Sequence, residues 1–292
     1  MIRSHVRNAG VAVLAAAVVT ALAAAPARAD LKLPRPSPKA VVSQTIGLTD
    51  FTVTYSRPGV KGRKIWGELV PYGEVWRTGA NEATSFVTTG EATVAGKKLP
   101  AGEYSLYTIP GEKEWTVIVS TEKGAWGSFK YAKEDDAHRF TVKPAAAPSQ
   151  EWMEFAFENL TPSSADLVLR WEKLQLSIPI EVATQEQAMA NVKAAMAEAK
   201  PDDWQTPYRC AQYCFNAGVN LDEAMTWAER SVAAKPAFFN LSLLADMKMK
   251  AGNSKEAIAV GERALKAGQE DPEKPDTRAM ESKLQEWKGK KS

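Results

Sequence analysis

The residues best suited to chemistry lie in one long stretch, from Tyr55 to Glu82. Four basic residues and no acid occur between Phe51 and Gly67, with glycine, proline and aromatic residues interleaved. Arginine forks bind carboxylate or phosphate groups, and aromatic rings pack on sugar or apolar faces. Long connections between strands commonly carry binding residues. The stretch therefore predicts a site for an anionic or carbohydrate ligand, with these candidates: Arg57, Arg63, Tyr72, Trp76, Arg77, Asn81 and Glu82.

Two other interpretations of these residues stay open. In a structural one, Arg77 pairs with Glu82, Asn81 satisfies loop backbone groups, and Trp66 and Trp76 close one end of the fold. In an enzymatic one, a hydrolase or isomerase uses Glu82 as a general base while Arg77 holds an anionic intermediate.

The remaining chain offers little for catalysis. Its histidines are His5 and His138, and its cysteines are Cys210 and Cys214. A His/Cys metal cluster cannot be assembled from these within one chain, and no cofactor is predicted. There is no Gly-x-Ser-x-Gly motif and no Gly-rich phosphate loop. We expect His138 to be a solvated histidine at a strand end, with acidic neighbours that favour its protonated form. This shortage of catalytic residues and motifs favours a protein that is not an enzyme.

The candidate residues must be positioned by β structure. From Ala40 to Val182 apolar and polar residues alternate, as in Phe51, Val53 and Tyr55, and turn signals separate about nine such runs. The spacing predicts an antiparallel β-sandwich over residues 30–183, with a jelly roll as one option. Residues 143–149 break the alternation and are predicted to form an extended surface loop.

A helical period begins at Thr184 and predicts a separate helical domain over residues 184–292. Thr184 with Gln187 is predicted to form a capping box, and Asn220 is predicted to start another helix. Gly218 and Gly252 lie 34 residues apart in similar surroundings, which indicates two tetratricopeptide-like units. Such helices commonly hold a peptide or a partner protein in a groove.

The first 29 residues have the pattern of a secretory signal: two arginines, an apolar run and Ala27-Arg28-Ala29 before Asp30. Removing this signal would take the net charge from +2 to −1, which gives no general attraction to nucleic acid. No later apolar run has the length of a membrane span. We expect a periplasmic or secreted protein. Its two cysteines are predicted to be buried thiols, because their spacing on a helix suits a disulfide poorly.

Four motifs carry a family resemblance. They are Tyr55-Ser56-Arg57-Pro58, Lys61-Gly62-Arg63, residues 75–84 beginning Val75-Trp76-Arg77, and residues 99–110 beginning Leu99-Pro100-Ala101. Together they closely resemble the secreted bacterial family called domain of unknown function 2911, over roughly residues 37–182. The resemblance implies an exported protein with a β-rich domain and often a helical repeat tail. It implies no activity and no catalytic residues.

Three functions remain as hypotheses. The first is an exported binding module without enzymatic activity. The second is an envelope scaffold or assembly protein that acts through its helical repeats. The third is the hydrolase or isomerase that would use Glu82 with Arg77.

Overall fold

The computed structural model describes residues 33–289. Contacts divide the chain into Met1–Pro36 and a compact unit, Ser37–Ser292, that contains every strand and helix named below. The predicted signal sequence, residues 1–29, lies outside the described residues. The strands end at Glu181 and the α-helices begin at Thr184.

The described residues contain ten strands in two antiparallel sheets. The alternation predicted the antiparallel sheets and about nine strands. A six-stranded sheet has the order β1-β2-β3-β6-β7-β8, and a four-stranded sheet has the order β5-β4-β10-β9. The strands are β1 (Lys39–Ile46), β2 (Thr49–Ser56), β3 (Thr84–Thr88), β4 (Ala92–Val94), β5 (Lys97–Leu99), β6 (Gly102–Ile109), β7 (Trp115–Ser120), β8 (Asp136–Val142), β9 (Ala145–Glu158) and β10 (Ser164–Glu181).

One apolar core joins the inner faces of the two sheets. Phe51, Val53 and Tyr55 point into it because alternate side chains of a strand face the same way. The Tyr55 ring meets the Phe155 ring edge to face at 5.0 Å, and the backbone N–H of Phe155 donates to the Tyr55 hydroxyl at 3.0 Å. The same alternation sends Thr52, Thr54 and Ser56 of β2 to the outer face of the six-stranded sheet.

The prediction of a loop over residues 143–149 is wrong for most of that segment, since β9 begins at Ala145. Ala145 and Ala146 pair with β10. Pro148 is tolerated because β9 is an edge strand, where a missing N–H leaves no neighbour unpaired. The two apolar runs between 167 and 180 form one strand, β10, with a register irregularity at Glu172, whose φ is +57°.

Six helices follow, as the period predicted: α1 (Thr184–Glu198), α2 (Gln205–Ala217), α3 (Leu221–Ala234), α4 (Phe238–Lys250), α5 (Ser254–Glu270) and α6 (Arg278–Gly289). Gly218 ends α2 and Gly252 follows α4, and both have positive φ. Cys210 and Cys214 are buried free thiols, as predicted. Burial raises the pKa of both thiols. None of the helices in residues 33–289 has the length and apolar character needed to cross a membrane.

The start of α1 differs from the predicted capping box. Thr184 is the first helical residue, and its hydroxyl donates to the Pro162 carbonyl at 3.2 Å. The Gln187 side chain contacts the Thr49 hydroxyl of β2 at 3.3 Å. Both side chains therefore attach the helix to the β domain, because tertiary partners replace the local backbone partners.

The contact between Thr184 and Gly47, in the β1–β2 turn, gives a stability prediction. Gly47 has a φ of +58°, and a Cβ there would lie 2.1 Å from the Thr184 Oγ1 atom. Gly47→Ala should lower the free energy of unfolding by about 1–2 kcal/mol from backbone strain and by at least about 1 kcal/mol more from the collision. Denaturant unfolding measures this loss.

The matched control is Gly96→Ala, in the β4–β5 turn. Gly96 has a φ of +81°, but a Cβ there would meet nothing within 4 Å. The free energy of unfolding of this variant should fall only by the amount due to backbone strain. Equal losses in the two variants would contradict the close packing of α1 on the β1–β2 turn.

Candidate functional site

The long connection between β2 and β3 is held to the core by tryptophan. Trp66 and Trp76 of this connection pack against Trp115 of β7 and Trp171 of β10. The Trp66 and Trp115 ring centroids are 4.8 Å apart, and Trp76 stacks on Trp171 at 5.9 Å. The Trp76 indole N–H donates to the Gly79 carbonyl at 3.0 Å. This tryptophan cluster supports the structural interpretation of Trp66 and Trp76.

Two arginines of the connection, Arg57 and Arg63, bond to backbone carbonyls. The Arg57 Nε atom donates to the Met153 carbonyl at 2.7 Å, and an Nη atom lies 3.6 Å from the Glu154 carboxylate. Arg63 donates to the carbonyls of Gly59 and Val60 at 2.6 and 3.1 Å. Arg57 thus links the connection to β9, whereas Arg63 closes its own turn. Both guanidinium groups are engaged with backbone carbonyls, and their predicted role in ligand binding stays a prediction.

Arg77 is half-buried. Its Nε atom is inaccessible to solvent and has no hydrogen-bond partner, and burial lowers the pKa of the guanidinium. Its neighbours Val75 and Trp76 lie on opposite sides of the sheet, since Val75 packs on the outer Tyr107 cluster and Trp76 packs in the core. Among residues 33–289 no ion pair joins Arg77 to Glu82.

The other three candidates support the connection and the loop next to it. Tyr72 is 40% exposed, and its ring covers Gly67. Asn81 donates to the Ser37 carbonyl at 3.2 Å and to the Ser56 hydroxyl at 3.1 Å. The Glu82 backbone pairs with that of Trp126, and the residue lines a cleft described next.

This cleft, the sheet cleft, opens on the outer face of the six-stranded sheet and has a volume of about 300 Å³. Hydroxyl side chains of β2 and β3 line it, with one ammonium group and two carboxylates. Its lining residues are Lys39, Thr54, Tyr55, Ser56, Glu82, Ala83, Ser85, Glu103 and Gly124.

Strand register creates a row of hydroxyls that begins at the cleft and runs across neighbouring strands of the sheet. Thr54 pairs with Ser85, Ser85 pairs with Ser105, and Ser105 pairs with Ser120. Thr54 and Ser85 line the cleft, and the Ser85 hydroxyl lies 3.4 Å from the Glu103 carboxylate. Ser105 and Ser120 are buried. The alternation of β2 predicts its outward hydroxyls, but only the pairing of strands distant in sequence brings Ser85 and Glu103 beside them.

Polar contacts attach residues 121–132, which we call the aromatic loop, to the β domain. The Tyr107 hydroxyl donates to Glu122 at 2.8 Å, and the Tyr131 hydroxyl donates to Asp136 at 3.0 Å. Burial and the adjacent carboxylate raise the pKa of each tyrosine. The loop is also attached to residues next to the cleft, because Ala83 N–H donates to Ala125 and Gly127 N–H donates to Asn81.

The expectation of a solvated His138 is wrong. The residue is 4% exposed, and its Nε2–H donates to the Val94 carbonyl of the other sheet at 2.9 Å. Its Nδ1 atom has no partner. Burial lowers the pKa of His138 below its ordinary value, and Lys97 acts in the same direction. Because packing between the sheets buries the ring, its acidic neighbours in sequence do not decide its charge.

The helical part contains a groove of about 770 Å³. Its lining combines aromatic rings, of which Phe239 is exposed, with charges of both signs, from the start of α2 to the end of α5. Its lining residues are Trp204, Gln205, Tyr208, Arg209, Lys235, Pro236, Ala237, Phe239, Ala267, Glu270, Asp271, Pro272 and Glu273. A peptide or protein partner in this groove stays a prediction, as does the assignment of the helices to tetratricopeptide repeats.

The tryptophan cluster predicts that Trp76 contributes to stability. Trp76→Ala removes a ring packed against Trp66 and Trp171 and should lower the free energy of unfolding by about 3 kcal/mol. Denaturant unfolding followed by circular dichroism measures the change. The matched control is Trp126→Ala, a ring 60% exposed, which should cost less than about 1 kcal/mol. If Trp76→Ala had the same free energy of unfolding as the wild type, a structural role for Trp76 would be contradicted.

The lowered pKa of His138 predicts a loss of stability in mild acid. The folded protein holds the ring neutral, so the unfolded chain binds more protons at pH values between the folded pKa and about 6.5. This contribution to the free energy of unfolding is complete above about pH 6.5 and declines as the pH falls toward the folded pKa.

His138→Gln keeps an N–H donor for Val94 but does not titrate. Between about pH 7.5 and about pH 5.5 the variant should lose less free energy of unfolding than the wild type. Denaturant titrations at both pH values measure the difference. An identical loss in the two proteins would show that His138 does not cause the acid sensitivity.

Comparison with known proteins places the β domain in a family. Searches of the curated proteins and of the solved structures gave no match. A family model described as protein of unknown function (DUF2911) matches residues 37–180, which include nearly every strand of the two sheets. The sheet cleft and the tryptophan cluster both lie within this range. The β domain of this chain therefore belongs to the DUF2911 family.

Proposed function

We propose that the protein is an exported binding module without enzymatic activity, and that its β domain binds a neutral saccharide in the sheet cleft. The observation that carries this proposal is the hydroxyl floor of the cleft, formed by Thr54, Ser56 and Ser85. Hydroxyl groups donate and accept hydrogen bonds, so a floor of hydroxyls matches a ligand that is itself rich in hydroxyls.

The charges around the cleft favour a neutral ligand. Lys39 offers only donors, whereas Glu82 and Glu103 offer only acceptors. A sugar hydroxyl can meet either kind of group, whereas an anionic group has only acceptors and can meet only the donors. Of the two predicted ligand classes, the carbohydrate therefore fits the cleft better than the anion.

The enzymatic alternative lacks the geometry it needs. It requires the Arg77 guanidinium to face an intermediate held at Glu82. Arg77 is not among the residues that line the cleft with Glu82. The arrangement therefore favours binding over acid–base catalysis at this place.

Calorimetry with neutral hexasaccharides tests the proposal, using maltohexaose, cellohexaose and chitohexaose as probes and polygalacturonate as an acidic comparison. We expect one of the neutral probes to bind. Ser85→Ala should weaken binding about fivefold, as expected for a neutral hydrogen bond. Glu103→Gln should weaken it about tenfold, because a bond to a charged group is lost.

Two controls separate the cleft from its surroundings. Ser43→Ala removes an exposed hydroxyl of β1 outside the cleft and should leave affinity unchanged. Arg63→Gln changes the predicted loop surface and should also leave it unchanged. Loss of binding in Arg63→Gln with none in Ser85→Ala would assign the ligand to the loop instead. If no neutral probe bound at millimolar concentration, the saccharide proposal would be wrong.

A further inference from the structure

The aromatic loop, residues 121–132, exposes large apolar rings on its outer side. Phe129 is 88% exposed and Trp126 is 60% exposed, the two rings being three residues apart. The opposite side of the loop is buried, with Ala125 4% exposed. An amphipathic loop of this kind has its apolar side toward solvent, which folding by itself does not favour.

The conformation that exposes these rings is fixed by bonds to the β domain. The N–H of Ala83 donates to the Ala125 carbonyl at 2.9 Å, and the N–H of Gly127 donates to the Asn81 carbonyl at 3.0 Å. Within the loop, the Tyr131 N–H donates to the Ser128 carbonyl at 3.2 Å. The Phe129 ring also covers Gly127, where a Cβ would lie 2.8 Å from the ring. The rings are thus presented by a defined loop structure.

Exposed lysines lie close to the two rings in sequence. Lys123, Lys130 and Lys133 are exposed, and none of them forms an ion pair with a described residue. The one acid within residues 121–133, Glu122, accepts the Tyr107 hydroxyl beneath the loop. Glu134, directly after Lys133, is the nearest exposed acid in sequence. The outer side of the loop is therefore both apolar and basic.

We propose that the aromatic loop docks the protein on an anionic lipid bilayer. Aromatic rings partition into the boundary between headgroups and acyl chains, and lysines near them are attracted to anionic headgroups. Trp126 and Phe129 supply the apolar insertion, while Lys123, Lys130 and Lys133 supply the charge complementarity. The proposal concerns a different surface from the sheet cleft and does not depend on a saccharide ligand.

Cosedimentation with vesicles tests the proposal. The full chain and the form beginning at Asp30, the predicted cleavage point, are compared on phosphatidylcholine vesicles and on vesicles that also contain phosphatidylglycerol. Both forms should bind the anionic vesicles more tightly, and raising the salt from about 0.05 M to about 0.5 M should weaken binding. Phe129→Ala should reduce the partition coefficient about tenfold, and Lys130→Gln should reduce it about fivefold.

Matched controls use exposed residues elsewhere in the β domain. Leu160→Ala changes a side chain 52% exposed in the β9–β10 turn, and Lys113→Gln changes an exposed lysine in the β6–β7 turn. Both should partition like the wild type. Circular dichroism verifies that each variant is folded, and the lysine variants test the proposal even if an aromatic variant unfolds.

Three results would overturn the proposal. They are no preference of the form beginning at Asp30 for anionic vesicles, equal partition of Phe129→Ala and the wild type, or equal losses in the loop variants and the controls. Sedimentation velocity adds a further outcome. A dimer that forms without vesicles and is lost in Phe129→Ala would assign the loop to a second copy of the chain instead of a membrane.

Discussion

The packing of four indole rings is the interaction on which the rest of the β domain depends. Trp115 and Trp171 belong to opposite sheets, whereas Trp66 and Trp76 come from the long connection that has almost no regular structure of its own. Aromatic rings bury large areas and prefer tilted or offset contacts, so a cluster of this kind anchors an irregular segment at low entropic cost. The connection can therefore lack strands and still hold a defined course.

A series of contacts leads from the tryptophan cluster to the functional surface and holds that surface in place. The connection places Asn81 and Ala83, whose backbone groups bond the aromatic loop. That loop contributes Gly124 to the wall of the sheet cleft. A polar cleft and an apolar, basic loop thus lie side by side on the outer face of the six-stranded sheet. The cleft and the loop lie outside the apolar core, but the core holds both of them in position.

Arginine in this fold illustrates why residue type alone does not establish a site. A guanidinium group has five donors and no acceptor, so it satisfies exposed loop carbonyls as readily as it binds a ligand. Arg57 bonds to a carbonyl of β9, and Arg63 bonds to a carbonyl of its own turn. The hydroxyls and carboxylates of the sheet cleft are commoner residue types and carry no comparable sequence signal. These hydroxyls and carboxylates form a candidate site only because strand pairing brings them together.

Local pattern by itself determined the class of this fold. The period of two predicted two antiparallel sheets, and the change of period at Thr184 predicted the helices, because side-chain periodicity follows directly from backbone geometry. Family motifs around Arg57, Trp76 and Leu99 also identified the domain from sequence. Tertiary structure alone decided the pairing of Ser85 with Thr54, the burial of His138 and the strand that includes Pro148. These depend on contacts between residues distant in sequence, whose identity no local period encodes, and so the chemistry of the outer face became visible only in the folded chain.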